Sequence, residues 1–262
     1  MLFVVDIGNT EAVFGLYDGD RLTHHWRLSS KVHRTADEYW ILFNMWSRTE
    51  NVSLSRIKGF AVCSVVPALT TVFSELARRH MSLEPLVVSA ESETVMTILY
   101  DTPRTVGADR ICNAVAGFAR YQGPLIIVDF GTATSFDVVS EEGEYIGGVI
   151  ALGVRGASQE LHRLAAKLPK VDLTFPPTIV GRTTETSIQS GIMWGSVALV
   201  DGMIEGIQHE MQWPRVHVVG TGGIAPIVVE RTQKIDVVDP FLTLEGIKLI
   251  YQRMTSENIG KI

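Results

Sequence analysis

VVDIGNTEAVFGLY, at residues 4–17, decides the fold, because IVDFGTATSFDVV at residues 127–139 repeats its form. In both stretches a buried strand ends at an aspartate, Asp6 or Asp129, and a glycine, a polar turn and a second strand follow. The repetition predicts two similar α/β domains that face each other across a cleft. No linker rich in proline or serine separates them, so we place the boundary near residue 120.

The chain around these stretches alternates between strand and helix patterns. Strands are expected at residues 2–6, 11–17, 21–28, 59–64, 125–128, 135–139, 144–150, 216–219 and 234–238. Helices are expected from Pro67, at 107–121, near 155–167, at 186–210 and after Thr243. A further helix begins after Thr35, which forms a capping-box pattern with Glu38.

The composition excludes several classes of protein. The chain has 262 residues and a formal charge of −6, so it has no basic surplus with which to neutralise the phosphates of a nucleic acid. No charge-free apolar run reaches membrane-spanning length, and the apolar N-terminus is interrupted by Asp6, unlike a signal peptide. Cys63 and Cys112 lack metal-ligand spacing and are expected to be buried. The sequence predicts a soluble, cytoplasmic protein without a nucleic-acid or membrane partner.

The turn after Asp6 has the residue types that bind phosphate. It exposes consecutive backbone N–H groups, and Gly8 lets an anion approach without a Cβ atom in the way. Asn9 and Thr10 add side-chain donors, and Asp6 can hold a hydrated Mg²⁺ directly or through water. The alternative is an ordinary hairpin with a solvated aspartate, which a single copy of so short a motif would favour.

The second copy and a third element favour the nucleotide-binding interpretation. Asp129 precedes Gly131 and Thr132, which again suit close contact with phosphate oxygens. Paired hairpins of this kind hold a nucleotide from both sides in the actin/hexokinase/Hsp70 class of folds. A glycine-rich turn, Gly220–Gly223, follows a buried strand at the place where that class approaches adenosine. We therefore expect two ribonuclease H-like domains of the actin/hexokinase type, at residues 1–120 and 121–262.

The chain also resembles one family within that class, the type III pantothenate kinases, over nearly its whole length. The shared motifs are DIGNT (6–10), RTADE (34–38), SVVP (64–67), YDTPxxVGADR (100–110), DFGTATSFD (129–137), YIGG (145–148), AAKLP (165–169), GRTT (181–184), QSG (189–191) and GTGGIA (220–225). The segment from Tyr100 to Arg110 is the most specific of these, because the general kinase fold does not require it. Leu152 departs from the family, which often has a proline there, and we expect a looser turn.

The resemblance implies ATP-dependent phosphorylation of pantothenate to 4′-phosphopantothenate, the first step of coenzyme A biosynthesis. It implies ATP-binding residues Asp6, Ile7, Gly8, Asn9, Thr10, Glu11, Ala12, Val13 and Thr132. It implies pantothenate-binding residues Tyr100, Gly107, Ala108, Asp109, Arg110 and Thr184. Asp109 would be the catalytic base, and Asp129 would coordinate the monovalent cation, K⁺ or NH₄⁺, that accompanies Mg²⁺ and ATP. The family also forms homodimers, with the substrate pocket near the subunit interface.

The roles implied for Asp109 and Arg110 are chemically reasonable. A carboxylate within reach of the attacking hydroxyl is the expected base in phosphoryl transfer. We expect Asp109 in the first turn of its helix, where the dipole would hold it deprotonated. Arg110 can pair with the carboxylate of pantothenate. Without the resemblance, a solvated helix N-terminus would be the better interpretation, and Asp129 could equally be a second Mg²⁺–water ligand.

Three rival functions stay open. The first is a kinase for another small hydroxyl substrate, against which Tyr100 and the GADR segment argue. The second is a nucleotide-binding regulatory protein, such as a transcription accessory factor, because a fold alone does not establish catalysis. The third is a polymerising actin-like ATPase, which the short chain disfavours.

Overall fold

The computed structural model describes residues 1–89, 96–165 and 168–259. Ala166 and Lys167, which belong to the AAKLP motif and to the helix expected near 155–167, lie outside these ranges. None of the helices in the described ranges is long and apolar enough to cross a membrane.

The first compact unit comprises Met1–Ala116 and the chain from Leu242 onward. Its strands are β1 (Leu2–Ile7), β2 (Glu11–Asp18), β3 (Arg21–Ser29), β4 (Gly59–Ser64) and β5 (Leu86–Val87). They form one sheet in the order β3-β2-β1-β4-β5, in which β1 is antiparallel to β2 and parallel to β4. Its helices are α1 (Ala36–Thr49), α2 (Pro67–Met81) and α7 (Leu242–Ile259), and α3 (Ala108–Tyr121) begins in it.

The second compact unit is Gly117–Phe241. Its strands are β6 (Leu125–Phe130), β7 (Ala133–Val139), β8 (Tyr145–Leu152), β9 (His217–Thr221) and β10 (Val237–Val238). They form a sheet in the order β10-β9-β6-β7-β8, in which β6 is antiparallel to β7 and parallel to β9. Its helices are α4 (Val154–Leu164), α5 (Thr184–Glu210) and α6 (Ala225–Val229).

The two sheets have the same topology. In each, three consecutive strands form an antiparallel meander. A fourth strand pairs in parallel with the first strand of the meander, and a fifth pairs in parallel with the fourth. The duplication inferred from the sequence is therefore confirmed at the level of strand order. It places Asp6 near the end of β1 and Asp129 near the end of β6, at corresponding positions of the two sheets.

Local sequence signals explain where the helices of the first unit begin. The capping box at Thr35 is present, with the Glu38 N–H donating to Thr35 Oγ1 at 3.3 Å and the Thr35 N–H donating to Glu38 Oε2 at 2.7 Å. Pro67 occupies the first position of α2, where its missing N–H costs no hydrogen bond. Both helices cover an aromatic core that includes Phe14, Phe43 and Phe73, each at most 1% exposed.

The closing helix α7 packs within the first unit, whereas the sequence analysis assigned it to the C-terminal domain. Leu244 contacts the position where Gly15 of β2 would carry a Cβ atom, at 3.0 Å. A Cβ on Gly246 would overlap the backbone of Cys112, so glycine allows α7 to approach α3 closely. Periodicity predicted this helix correctly, but the pattern of one helix does not reveal which sheet it covers.

Two smaller differences concern strand ends. The strand expected at 234–238 is reduced to Val237–Val238. Leu152 is the last residue of β8 and pairs with Ala133, so the expected loosened turn at this position is wrong. The chain turns at Gly153, which precedes α4 and lies against the backbone of Thr132.

Candidate active site

The hairpin between β1 and β2 presents its polar turn at the end of a buried strand. Asp6 is half-buried and pairs with Val13, while the Gly8 N–H donates to the Glu11 carbonyl at 3.0 Å and closes the turn. Asn9 is exposed, and Thr10 is half-buried. The hairpin thus offers a carboxylate and two side-chain donors within five residues, as the phosphate-binding hypothesis requires.

The neighbouring positions of this hairpin differ in what they can offer a ligand. Ile7 and Ala12 are 1% and 0% exposed, and their side chains belong to the hydrophobic core. Only the backbone groups of these two residues can face a nucleotide. The Glu11 carboxylate accepts a hydrogen bond from Arg27 at 3.2 Å, and Val13 is half-buried.

Asp109 lies in the first turn of α3, as predicted, and its pKa is raised rather than lowered. Burial raises the pKa of its carboxyl above the ordinary value of 3.8, although the Arg110 N–H, which donates to Asp109 Oδ1 at 2.8 Å, and the Arg110 charge act in the opposite direction. Desolvation therefore outweighs the hydrogen bond from Arg110 and the attraction to its charge. A carboxylate with a raised pKa is a stronger base, so this correction favours proton abstraction.

Residues on both sides of Asp109 constrain its geometry. A Cβ on Gly107 would lie 2.5 Å from Asp109 Oδ1, so glycine leaves the room that the carboxylate occupies. Ala108 and Arg110 are both 9% exposed. Tyr100 is half-buried and precedes the short 3-10 turn Pro103–Thr105 that leads into α3.

Asp6 and Asp109 lie near the same pair of cysteines in the first unit. Cys63 on β4 pairs in register with Asp6, and Cys112 lies one turn after Asp109 on α3. The two thiols contact each other, and both side chains are 0% exposed. Both carboxylates contribute to raising the pKa of each thiol, which places them close to the pair. The prediction that both cysteines are buried is confirmed, whereas their mutual contact was not predicted.

The second unit brings Asp129 and the glycine-rich turn together. Gly222 has a φ of +90°, and a Cβ there would lie 2.5 Å from Asp129 Oδ1 and 2.7 Å from the Phe130 carbonyl oxygen. Asp129 is half-buried and Thr132 is exposed in the turn that follows it. The Gly131 N–H donates to the Ala133 carbonyl at 3.0 Å, which closes a turn one residue shorter than the turn at Gly8.

The oxygen atoms beside Gly222 suit a hard cation. A carboxylate and a backbone carbonyl are the ligand types that such cations prefer, and the missing Cβ leaves a cradle next to both. Among the described residues, no group of three or more His, Cys, Asp or Glu side chains has the arrangement of a metal site.

Thr184 lies beside an open apolar groove in the second unit. It is exposed in the first turn of α5, which Thr183 caps by accepting a hydrogen bond from the Thr186 N–H at 3.1 Å. The groove has a volume of about 970 Å³, and its lining includes Leu152, Leu161, Leu164, Arg182 and Thr184. The sequence analysis missed this groove, because its leucines come from a strand, a helix and a loop.

Comparisons with known proteins identify the family. A sequence model of the family described as type III pantothenate kinase matches residues 2–206. The type III pantothenate kinase of Citrifermentans bemidjiense is 46% identical over 254 residues, which cover 97% of this chain and 99% of that protein.

Two solved structures show the same fold at low sequence identity. The ROK hexokinase of Thermus thermophilus is 13% identical with a TM-score of 0.53, over 97% of this chain and 99% of that one. The activator of 2-hydroxyisocaproyl-CoA dehydratase from Clostridium difficile is 12% identical with a TM-score of 0.55, over 100% and 97%. These likenesses show the fold of the actin/hexokinase class, and the sequence match over almost the whole chain is more specific. The chain belongs to the type III pantothenate kinase family.

Proposed function

We propose that this protein transfers the terminal phosphoryl group of ATP to the primary hydroxyl of pantothenate, forming 4′-phosphopantothenate for coenzyme A biosynthesis in the cytoplasm. The observation that carries the proposal is Asp109, a half-buried carboxylate with a raised pKa in the most specific motif of the family. Its unit also contains the hairpin at Asp6, and both carboxylates lie near the Cys63–Cys112 pair. A base and a phosphate-binding turn are the parts that phosphoryl transfer requires.

The ATP phosphates would bind at the backbone amides of residues 6–13 and at Thr132. The exposed position of Asn9 and the open turn at Thr132 support these contacts. Asp6 would hold Mg²⁺, directly or through water, and the metal would neutralise charge on the phosphates. Asp109 would accept the hydroxyl proton of pantothenate as that oxygen attacks.

Pantothenate would contact Tyr100, Gly107, Ala108, Asp109, Arg110 and Thr184. Arg110 is the group suited to the substrate carboxylate, because a guanidinium binds a carboxylate through two parallel hydrogen bonds. The exposed hydroxyl of Thr184, beside the apolar groove, supports a role in holding the less polar part of the substrate.

Asp129 would coordinate a monovalent cation, K⁺ or NH₄⁺. The support is the cradle beside Gly222, where a carboxylate oxygen and the Phe130 carbonyl lie close together. A weakly hydrated cation of low charge tolerates irregular coordination better than Mg²⁺, which demands an octahedral shell.

A homodimer would cover the apolar surface beside the groove. Large apolar side chains are exposed there, namely Ile150 (65%), Leu152 (63%), Leu164 (73%), Ile179 (64%) and Val180 (78%). So many large apolar side chains in neighbouring segments are typical of a surface that binds another protein. A second copy would place Thr184 near the subunit interface, as the family resemblance implies.

The test is formation of 4′-phosphopantothenate by the purified protein with ATP, Mg²⁺ and pantothenate, measured by mass spectrometry in K⁺ and in Na⁺. We expect product only when pantothenate is present, and more of it in K⁺ than in Na⁺. An Asp109→Asn variant that still binds ATP serves as the control and should form little product. Folded wild-type protein that binds ATP but forms no product in either salt would refute the proposed reaction and favour a regulatory role or another acceptor.

A further inference from the structure

Asp129 lies between two hydroxyl side chains in the second sheet. In the register of the strands, Asp129 of β6 is paired with Ser135 of β7 on one side and with Thr221 of β9 on the other. Paired residues on neighbouring strands project to the same face of a sheet, and the strands lie about 4.7–4.9 Å apart. Ser135, Asp129 and Thr221 therefore form a polar row across three strands.

The polar row lies on the face of the sheet that is turned away from the hydrophobic core of this unit. Phe130, Phe136 and Val218 belong to that core, and each lies an odd number of residues from a member of the polar row on the same strand. Because successive side chains of a strand alternate between the two faces, the polar row projects to the other face. Asp129 and Ser135 are half-buried, so solvent and small ions reach the row.

The two hydroxyls of the polar row make no hydrogen bond within the described part of the chain. This holds for Thr221, which is 2% exposed, and for Ser135, and neither of them donates to Asp129. Buried hydroxyls are normally hydrogen-bonded, so Thr221 indicates that the row binds a further group. The oxygen of Thr221 does not belong to the partnerless atoms that are sealed from solvent, and a small ligand can therefore contact it.

The first sheet has no such row, although its strand order is the same. Asp6 is paired with Val13 on one side and with Cys63 on the other, and neither side chain offers an oxygen atom. Cys63 is 0% exposed and hydrogen-bonds Cys112 instead. The hydroxyls beside Asp129 are therefore a property of the second sheet and not a consequence of the shared topology.

The charge and the atom types of the polar row suit a monovalent cation. Its single carboxylate carries one negative charge, and its two hydroxyls add neutral oxygen lone pairs. One negative charge balances an ion of charge +1, whereas Mg²⁺ carries two charges and demands an octahedral shell. Neutral oxygen atoms are ligands of K⁺ in proteins, and NH₄⁺ can donate hydrogen bonds to the same lone pairs.

We propose that the hydroxyl oxygens of Ser135 and Thr221 are ligands of the monovalent cation at Asp129. The inference rests on the cation site proposed above, and it adds two ligands from the neighbouring strands to the carboxylate. Thr221 is buried, so its oxygen has a fixed position, whereas water can replace the oxygen of the half-buried Ser135. Thr221 should therefore contribute more to the affinity than Ser135.

The experiment measures cation binding separately from catalysis. The unfolding temperature is followed while KCl or NH₄Cl replaces N-methylglucamine chloride at constant ionic strength, with and without Mg²⁺–ADP, because an ion that binds the folded protein raises it. The proteins are the wild type, Asp129→Asn, Thr221→Val, Thr221→Ser, Ser135→Ala and a control, Thr134→Val. Thr134 is 3% exposed, similar to Thr221, but it pairs with Phe130 and so lies on the core face.

The variants should differ in the K⁺ concentration that gives half of the stabilisation. Thr221→Val loses the oxygen and keeps the shape of the side chain, so it should need about tenfold more K⁺, as for one lost contact with a charged group. Ser135→Ala should need about threefold more. Thr221→Ser keeps the hydroxyl and Thr134→Val leaves the row intact, so both should respond like the wild type. The K⁺ concentration for half-maximal kcat should shift by the same factors, and the salt that acts at the lower concentration identifies the ion.

Several results would overturn the proposal. A wild-type response in both Thr221→Val and Ser135→Ala, with a lost response in Asp129→Asn, would refute the two hydroxyl ligands. An unchanged response in Asp129→Asn would place the ion elsewhere and refute the site itself. If Thr221→Val does not fold, Ser135→Ala decides, and a wild-type response in that variant refutes the proposal.

The same measurements separate this proposal from the proposed reaction. Wild-type protein that forms 4′-phosphopantothenate but responds to neither K⁺ nor NH₄⁺ would refute the cation site and leave the kinase activity standing. Wild-type protein that is stabilised by K⁺ but forms no product would refute the reaction, and the response of Thr221→Val would still test the hydroxyl ligands.

Discussion

Replacement of Gly222 by alanine tests whether the glycine-rich turn sets the position of Asp129. Two costs follow from the structure. Gly222 has a φ of +90°, and a non-glycine residue in that region costs about 1–2 kcal/mol. The new Cβ would also lie 2.5 Å from Asp129 Oδ1 and 2.7 Å from the Phe130 carbonyl oxygen, a degree of overpacking that costs about 1–3 kcal/mol. The free energy of unfolding should therefore fall by about 2–5 kcal/mol.

Gly123→Ala is the matched control. Gly123 also has a positive φ, +65°, but a Cβ there has no heavy atom within 4 Å. Only the backbone cost of about 1–2 kcal/mol applies to that variant. The difference between the two variants, measured by urea unfolding, therefore isolates the steric conflict with Asp129 and Phe130.

The kinase assay then connects this conflict to function. Because the conflict displaces the Asp129 carboxylate, Gly222→Ala should have a lower kcat and require a higher K⁺ concentration, whereas Gly123→Ala should turn over like the wild type. Equal unfolding free energies for the two variants would refute the steric argument. A Gly222→Ala enzyme with unchanged kcat and unchanged K⁺ dependence would refute the role given to Asp129.

Four further predictions concern the first unit. Asp109→Asn should lower kcat about 10²- to 10⁴-fold, the effect of losing a general base. In the wild type, kcat/KM should fall with decreasing pH as Asp109 becomes protonated, at a pKa above 3.8. A pH profile without this fall in acid would contradict the base assignment. Asp109→Asn should also be more stable than the wild type at neutral pH, and this gain in stability should be smaller in acid. Because the pKa of Asp109 is raised in the folded state, the stability that its carboxyl contributes is lost as pH rises through that pKa. Urea unfolding at several pH values checks this sign. Thr35→Ala should lower the unfolding free energy by about 1 kcal/mol through loss of the cap, and an unchanged value in urea unfolding would show that the capping hydrogen bonds contribute little. Cys63 and Cys112 should resist a thiol-reactive disulfide reagent until the protein unfolds. Their mutual hydrogen bond and burial keep the pKa of Cys63 well above its usual range, and burial raises the pKa of Cys112. Rapid labelling of the native protein would contradict their burial.

Most of the fold followed from local patterns in the sequence. The duplicated strand–Asp–turn–strand unit predicted both sheets, and the strand at 59–64 and the capping box at Thr35 are present as predicted. These features depend on neighbouring residues, which a single sequence displays directly. The assignment of α7 to the second domain failed for a different reason: its close approach depends on Gly246, whose partner Cys112 lies more than a hundred residues away.

The site was predictable only in its components. Motifs identified Asp6, Asp109 and Asp129, but the protonation of Asp109 depends on how far packing shields it from water, which no motif encodes. Sequence reasoning can name a titratable group, whereas its pKa belongs to the packed structure.

The two sheets of the duplicated fold differ in the residues beside their corresponding aspartates. The corresponding aspartates pair with the parallel strand at Cys63 in one sheet and at Thr221 in the other. After Cys63 the chain turns through Ser64, whose Oγ accepts the Val66 N–H at 3.0 Å, so the turn is closed by its own side chain. After Thr221 the chain turns through Gly222, where a Cβ atom would lie 2.5 Å from Asp129 Oδ1. The same topology therefore surrounds its two aspartates differently, and the difference lies in the residues that follow each parallel strand.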